Sequence, residues 1–301
     1  SQPKQIGEIA TPGNAQGIVV HENTAYVADG DGGVVIIDVN QSNAPKLTKI
    51  IGGFEHVRCI HIANRNAYVV DVKQGLKIFS LKELLNGTNP QPIGAFYTTG
   101  AALDVSVDRN MIYLSDENLG FHILDFELVD IPAFAGIVRT LAFDFEVVDG
   151  YAYVASGNFQ IIDMRNRLEP EIISSIQTPG LATQVKYRDG YAYLTDQQSG
   201  LYIIDVHDRQ EPKTIAVQPL LNGTVGLDIL EINGKGKFAC VANGKNGLQI
   251  ISLKNPAAPE WLHHYDASGE AYGLDIVGTA DGRRMAYIAD GAAGLKIVEI
   301  K

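Results

Sequence analysis

The stretch GLYIIDVHDRQEPKTI, Gly200 to Ile215, decides the fold. It reads as a strand of β-branched and aromatic residues, a polar loop, a proline and a second strand. Near-copies return along the chain: GVVIIDVNQSNAPKLTKI from Gly33, NFQIIDMRNRLEPEII from Asn158 and GLQIISLKNPAAPEWL from Gly247. A catalytic motif normally occurs once. A motif repeated along the whole chain is architecture.

Around this third strand a complete unit can be read. It runs as an apolar strand, a short polar hairpin, an AYVAD-like strand, a loop ending in Gly, the LYIIDV strand, and a proline-bearing loop into a short outer strand. The AYVAD element centres on Tyr26, Tyr68, Tyr113, Tyr153, Tyr193, Phe238 and Tyr287, which makes seven copies at the period of a four-stranded blade. Loops such as Asp196 to Gly200 and Asp290 to Gly294 open on Asp, which bonds nearby backbone, and close on Gly, which supplies positive φ. Pro45, Pro90, Pro170, Pro212 and Pro259 follow the third strand; lacking an N–H, they mark the turn into an edge strand. Only SLKELLNG, Ser80 to Gly87, has helical character, enough for a turn or two.

The expected fold is all-β: a seven-bladed β-propeller of four-stranded antiparallel blades, one domain over residues 1–301. The last unit stops at its third strand, LKIVEIK, whereas the first unit is preceded by an unassigned strand, residues 4–11. The N-terminal strand is therefore expected to complete blade seven and close the ring.

The third-strand copies VVIIDVNQSNAP, LKIFSLKELLNGTNP, FQIIDMRNRLEP, LYIIDVHDRQEP and LQIISLKNPAAP resemble the LVIVD repeat. FHILDFELVDIP, Phe121 to Pro132, departs with a longer acidic loop. The resemblance implies a propeller of the kind found in bacterial and archaeal cell-surface or exported proteins. It implies no shared catalytic residues, and fold alone does not give function.

Composition narrows the classes. With 46% hydrophobic and 20% charged residues, the chain has ample apolar material for a core. A formal net charge of -11 repels phosphate backbones, so nucleic acid is not an expected partner. No apolar run approaches the ~18 residues of a membrane helix, and no signal peptide is read in the chain, which begins at Ser1. Cys59 and Cys240 fall in opposite parts of the ring, too far apart for a disulfide. Nothing matches GxSxG, a Walker loop, HExxH, a dinucleotide fingerprint or a haem, flavin or quinone site.

Inner strands line the channel of a propeller. Counting back from each AYV element, one position is polar in every blade: Gln16, Arg58, Asp104, Asp144, Gln184, Asp228 and Asp275. Two readings stay open. These side chains bond backbone N–H groups of the neighbouring blade, with Arg58 pairing with Asp104; or Asp104, Asp144, Asp228 and Asp275 hold a hard cation such as Ca²⁺, because adjacent carboxylates resist joint ionisation unless a positive charge lies between them. Asn14, Glu55, His56, Arg139, Glu270 and Tyr272 belong to the loops at the channel mouth, the expected ligand or partner face.

Cys59 and His61 share one face of a strand and invite a metal reading, but a structural role is favoured. His263 and His264 are adjacent, so they point to opposite faces. Asp29 to Gly33, DGDGG, lacks the further acidic ligands of a calcium loop and reads as an inter-strand turn. Asn86 and Asn222 begin weak glycosylation sequons.

The expected function is a non-catalytic binding or scaffolding module, holding a protein partner or surface polymer outside the cytoplasm. The alternative is a propeller hydrolase or lactonase that uses a channel-mouth cation with His56 as base.

Overall fold

The computed structural model describes residues 2–126, 133–220, 223–232, 236–279 and 282–300. An N-terminal strand, β1 (Lys4–Ile9), precedes the first blade: β2 (Gly17–His21), β3 (Thr24–Ala28), β4 (Val34–Asp38) and β5 (Lys46–Ile51). Blade 2 is β6 (Val57–Ala63), β7 (Asn66–Asp71), β8 (Gly75–Ser80), the helix α1 (Leu81–Asn86) and β9 (Gly94–Phe96). Blade 3 is β10 (Ala102–Asp108), β11 (Met111–Asp116), β12 (Gly120–Asp125) and β13 (Ala133–Val138). Blade 4 is β14 (Asp144–Val148), β15 (Tyr151–Ala155), β16 (Phe159–Asp163) and β17 (Glu171–Ile176). Blade 5 is β18 (Ala182–Arg188), β19 (Tyr191–Asp196), β20 (Gly200–Asp205) and β21 (Lys213–Gln218). Blade 6 is β22 (Gly226–Ile232), β23 (Gly236–Ala242), β24 (Leu248–Ser252) and β25 (Glu260–Tyr265). Blade 7 is β26 (Gly273–Gly278), β27 (Arg284–Ala289) and β28 (Leu295–Ile300), with β1 as its outer strand.

The chain is thus an all-β, seven-bladed propeller of four-stranded antiparallel blades, closed as expected by its N-terminal strand. No helix among the described residues is long and apolar enough to cross a membrane. The expectations for residues 127–132 and for Asn222 lie outside the described residues. Asn86 is exposed at the end of α1.

Alternation along each strand sends apolar side chains to both faces of the sheet, so each face packs on a neighbouring blade. The result is seven apolar clusters, one at each seam. Second-strand residues Tyr26, Tyr68, Tyr153 and Tyr193 are fully buried and face the following blade. In blade 6 that place belongs to Cys240, not to Phe238 as the repeat count suggests. Cys240 pairs with Asp228 as Tyr287 pairs with Asp275, and it fills the seam with blade 7. With Cys240 in the series the last two intervals are both 47 residues.

The repeated aspartates are structural. Asp38, Asp163 and Asp205 each accept the N–H of the residue two positions on, closing the turn after the third strand. Asp29, Asp71, Asp116, Asp196 and Asp290 are buried at the end of the second strand. Asp116 shows why: one oxygen accepts Asn118 and Leu119 N–H (2.7 and 2.8 Å), and the other accepts Gly100 N–H (3.0 Å) from the loop entering the same blade. In DGDGG, likewise, Asp29 accepts Gly13 N–H (2.6 Å), so this stretch is an inter-strand turn.

Candidate functional site

The inner strands of all seven blades enclose a central channel with a volume of about 800 Å³. Their channel-side edges have no partner strand, so backbone donors there need another acceptor. Inner-strand carboxylates supply it across the seams. Asp144 accepts Val185 N–H (2.7 Å), Glu146 accepts Tyr187 N–H (2.6 Å), Asp228 accepts Ile276 N–H (3.2 Å), and Asp275 accepts Val20 N–H (2.7 Å) across the ring-closing seam. Asp144, Asp228 and Asp275 thus bond the neighbouring blade's backbone as the hydrogen-bonding reading expects, Glu146 does so without having been counted, and Asp104 accepts the Cys59 thiol instead.

The seven aligned positions do not form one ring. Inner strands β6, β10 and β18 carry a bulge near their start, whereas β2, β14, β22 and β26 run in regular register. Arg58 and Asp104 fall within these bulges, whereas in blades 6 and 7 the residue opposite the central position lies twelve back (Asp228↔Cys240, Asp275↔Tyr287) rather than the seven of Lys186↔Tyr193. By pairing, Asp144 and Gln184 lie at the mouth level with Gly17, Gly226 and Gly273. Asp228 and Asp275 lie one pleat deeper, level with His61, Ser106, Glu146 and Lys186. The mouth-level glycines in blades 6 and 7 have a steric cause. A Cβ on Gly226 would lie 2.7 Å from the Tyr272 carbonyl oxygen, and one on Gly273 would lie 2.6 Å from that of Gln16.

Lys186, absent from the sequence expectations, is the centre of the channel's electrostatics. Burial works to lower its pKa, but Asp144, Glu146, Asp228 and Asp104 outweigh burial and hold the ammonium above its ordinary range. It supplies from within the chain the positive charge that clustered carboxylates require. Burial, reinforced by Asp144, pushes the Asp104 carboxyl well up, and the two groups hydrogen-bond each other. Burial also raises Asp144 and Asp228, both opposed by Lys186, and lifts Asp275 to about 6. Burial, helped by Lys186, lowers His61 to about 4.

Arg58 does not form the expected ion pair with Asp104. Its Nε donates to the Leu103 carbonyl (2.9 Å), and Asp104 instead accepts the Cys59 thiol (3.4 Å). Cys59 and His61 do share the channel, as their parity requires, but burial and Asp104 hold the thiol well above its ordinary range. Among the described residues, no three His, Cys, Asp or Glu side chains converge as a metal site, and Cys59 and Cys240 are both free thiols. His264 stacks on Trp261 (5.7 Å) with Asp266 at 3.5 Å, while His263 points inward.

At the mouth, His56 is held between Asp31 Oδ1 (2.7 Å from Nδ1) and the Gln16 amide (2.8 Å from Nε2), which bridges blades 1 and 2. Asn14 lines the channel entrance beside Tyr272, whose hydroxyl donates to Glu270 (2.5 Å). Lys245 lies 3.4 Å from Glu270, and Lys73 lies 3.3 Å from Glu55. Arg139 is exposed on the loop between β13 and β14. The structure brings the rim residues onto one face and draws Gln16 into it.

Seven sheets around a polar channel, with the last blade completed by the first strand, define a closed β-propeller. The sequence model of the LVIVD-repeat family matches residues 12–50, 141–178, 179–215, 231–267 and 285–300. The chain belongs to that family. The longest unmatched stretch, residues 51–140, holds blades 2 and 3. In blade 2 the helix α1 departs from the repeat, but the longer loop expected after Phe121 is not found: seven residues separate β12 from β13, as they separate the third and fourth strands of blades 1, 4, 5 and 6. No curated protein matches the chain. Among solved structures, the WD40 β-propeller domain of Doa1 superposes with a TM-score of 0.77 at 10% identity, covering 100% of this chain and 97% of that one. BamB from Moraxella catarrhalis gives 0.63 at 13% identity, over 100% and 98%. The computationally designed Ika8 protein gives 0.71 at 8% identity, over 98% and 99%. Such likeness shows the fold alone.

Proposed function

We propose that the protein is a non-catalytic binding module that holds a protein partner or surface polymer on its channel-mouth face, outside the cytoplasm. The observation that carries this reading is the division of work among its polar groups. The channel carboxylates are engaged in joining blades and balancing Lys186. The mouth loops instead present Glu55, Glu270, Tyr272 and Arg139 on a rigid disc. A preorganised surface loses little freedom on binding. The placement outside the cytoplasm rests on the resemblance to exported repeat proteins, and fractionation of native cells tests it.

Affinity purification from the native source tests the binding surface. Glu55→Lys with Glu270→Lys should release the co-purifying partner, while Glu211→Lys on the opposite face should retain it. A partner that survives the first pair and is lost with the second overturns the reading. The hydrolase reading keeps one supporting observation, the orientation of His56 by Asp31 and Gln16. A stoichiometric cation that disappears on changing Asp144 and Asp228 to Asn, together with an esterase or lactonase activity, would favour it.

A further inference from the structure

His122 on β12 is 3% exposed, and neither ring nitrogen has a hydrogen-bond partner. It faces the seam between blades 2 and 3. Its ring lies edge-on to Phe96 of β9 (centroids 5.5 Å apart) and to Phe134 of β13 (6.4 Å), and it pairs across the sheet with Leu114. A neutral imidazole tolerates such a place at the modest cost of unpaired polar atoms, far less than burying a charge. An imidazolium has two donors and needs acceptors for both.

Among the described residues, neither His122 ring nitrogen meets an acceptor. Asp116 of β11 is the charged group that acts on the ring, and both its oxygens are already committed to backbone N–H groups. The strands packed on either side, Gly94–Phe96 and Ala133–Val138, contain no ionisable side chain. On β8, Lys77 is held by Gln74 and the Gly53 carbonyl. Burial lowers the His122 pKa from 6.5, with Asp116 opposing. The neutral ring's contribution is therefore complete above 6.5 and is lost as pH falls through the lowered value.

What the ring supports is the most weakly held outer strand. β9 is three residues long and pairs with β8 only at Leu76, Lys77 and Ile78. The outer strands of the other blades are six residues long. Phe96 is its inward anchor in the seam.

We propose that His122 is an acid-sensitive latch: neutral, it packs β9 against blade 3; protonated, it releases β9 and bares the outer edge of β8.

Amide exchange on the intact protein tests the latch. After correction for intrinsic exchange, residues 94–98 should exchange about ten-fold faster or more at about pH 5 than at about pH 7.5. The variants His122→Phe and His122→Leu should lose that acceleration, and β21 should show none in any form. Equal acceleration in the variants, or none in the wild type, overturns the proposal. Should both variants fail to fold, an NMR titration of the wild-type ring serves instead. Loss of β9 protection in step with ring protonation supports the latch; a ring that titrates while β9 stays protected overturns it.

Discussion

A carboxylate on an inner strand completes the hydrogen bonding of an edge that has no partner strand. Asp275 does this at the ring-closing seam while carrying a pKa of about 6 against an ordinary 3.8. The sign follows from linkage: its stabilising contribution is complete below 3.8 and is lost as pH rises through 6. Asp275→Asn keeps an oxygen for Val20 N–H and removes the charge. It should therefore gain stability relative to wild type as pH rises from 4 to 7, by up to about 3 kcal/mol, read from urea midpoints across that range. Tyrosines at equivalent places differ in the same way. The Tyr153 hydroxyl accepts from Arg209 Nε at 2.9 Å, whereas the Tyr193 hydroxyl is buried without a partner. Tyr153→Phe should cost about 1 kcal/mol, and Tyr193→Phe should be neutral or stabilising in the same assay. Lys186 escaped the residue count because the residue opposite the central position lies seven back in blade 5 (Lys186↔Tyr193) but twelve back in blades 6 and 7 (Asp228↔Cys240, Asp275↔Tyr287), so a single count does not bring these three residues together. Its signal was its place opposite Tyr193, the central tyrosine of its blade.

At the scale of elements, the repeat was legible because strand, Asp turn, Gly and Pro recur together. The helical character of Ser80 to Gly87 was legible too, and α1 forms there. Its purpose was not legible. Leu84 is fully buried in the seam between blades 1 and 2, and Lys49 of blade 1 donates to the carbonyls of Leu84 and Gly87 at the helix end. The helix covers a seam where the short β9 leaves β8 partly unpaired. Leu84→Ala should cost about 2–5 kcal/mol by chemical denaturation, while exposed Leu85→Ala stays within about 0.5 kcal/mol. The outer strands share a second device. Pairing of the third and fourth strands shifts register in blades 1 and 3–7. Such a bulge bends an exposed edge away from other chains. No local sequence signal announces it, because the shift appears only against the partner strand.

At the scale of the molecule, the ring depends on one strand drawn from the other end of the chain. β1 pairs with β28 from Lys4↔Glu299 to Ile9↔Leu295, Glu8 binds Lys296, and Ile6 and Ile9 pack in the seam of blades 7 and 1. Removing residues 2–12 strips β28 of its partner. The truncated protein should lose roughly 2–4 kcal/mol and self-associate through the bared edge, both seen by thermal unfolding and size-exclusion chromatography. A peptide of residues 2–12 added in trans should restore the monomer. Blade number, strand order and closure were all readable from the chain, because a repeat carries its period in local residue patterns that need no partner to be recognised. The two-level channel, the central role of Lys186 and the unpartnered His122 were not readable. Each depends on which residue of a neighbouring strand stands opposite, and a longer count between two strands, as in blades 6 and 7, or a bulge, as at Arg58 and Asp104, changes that pairing without changing the composition or the repeat.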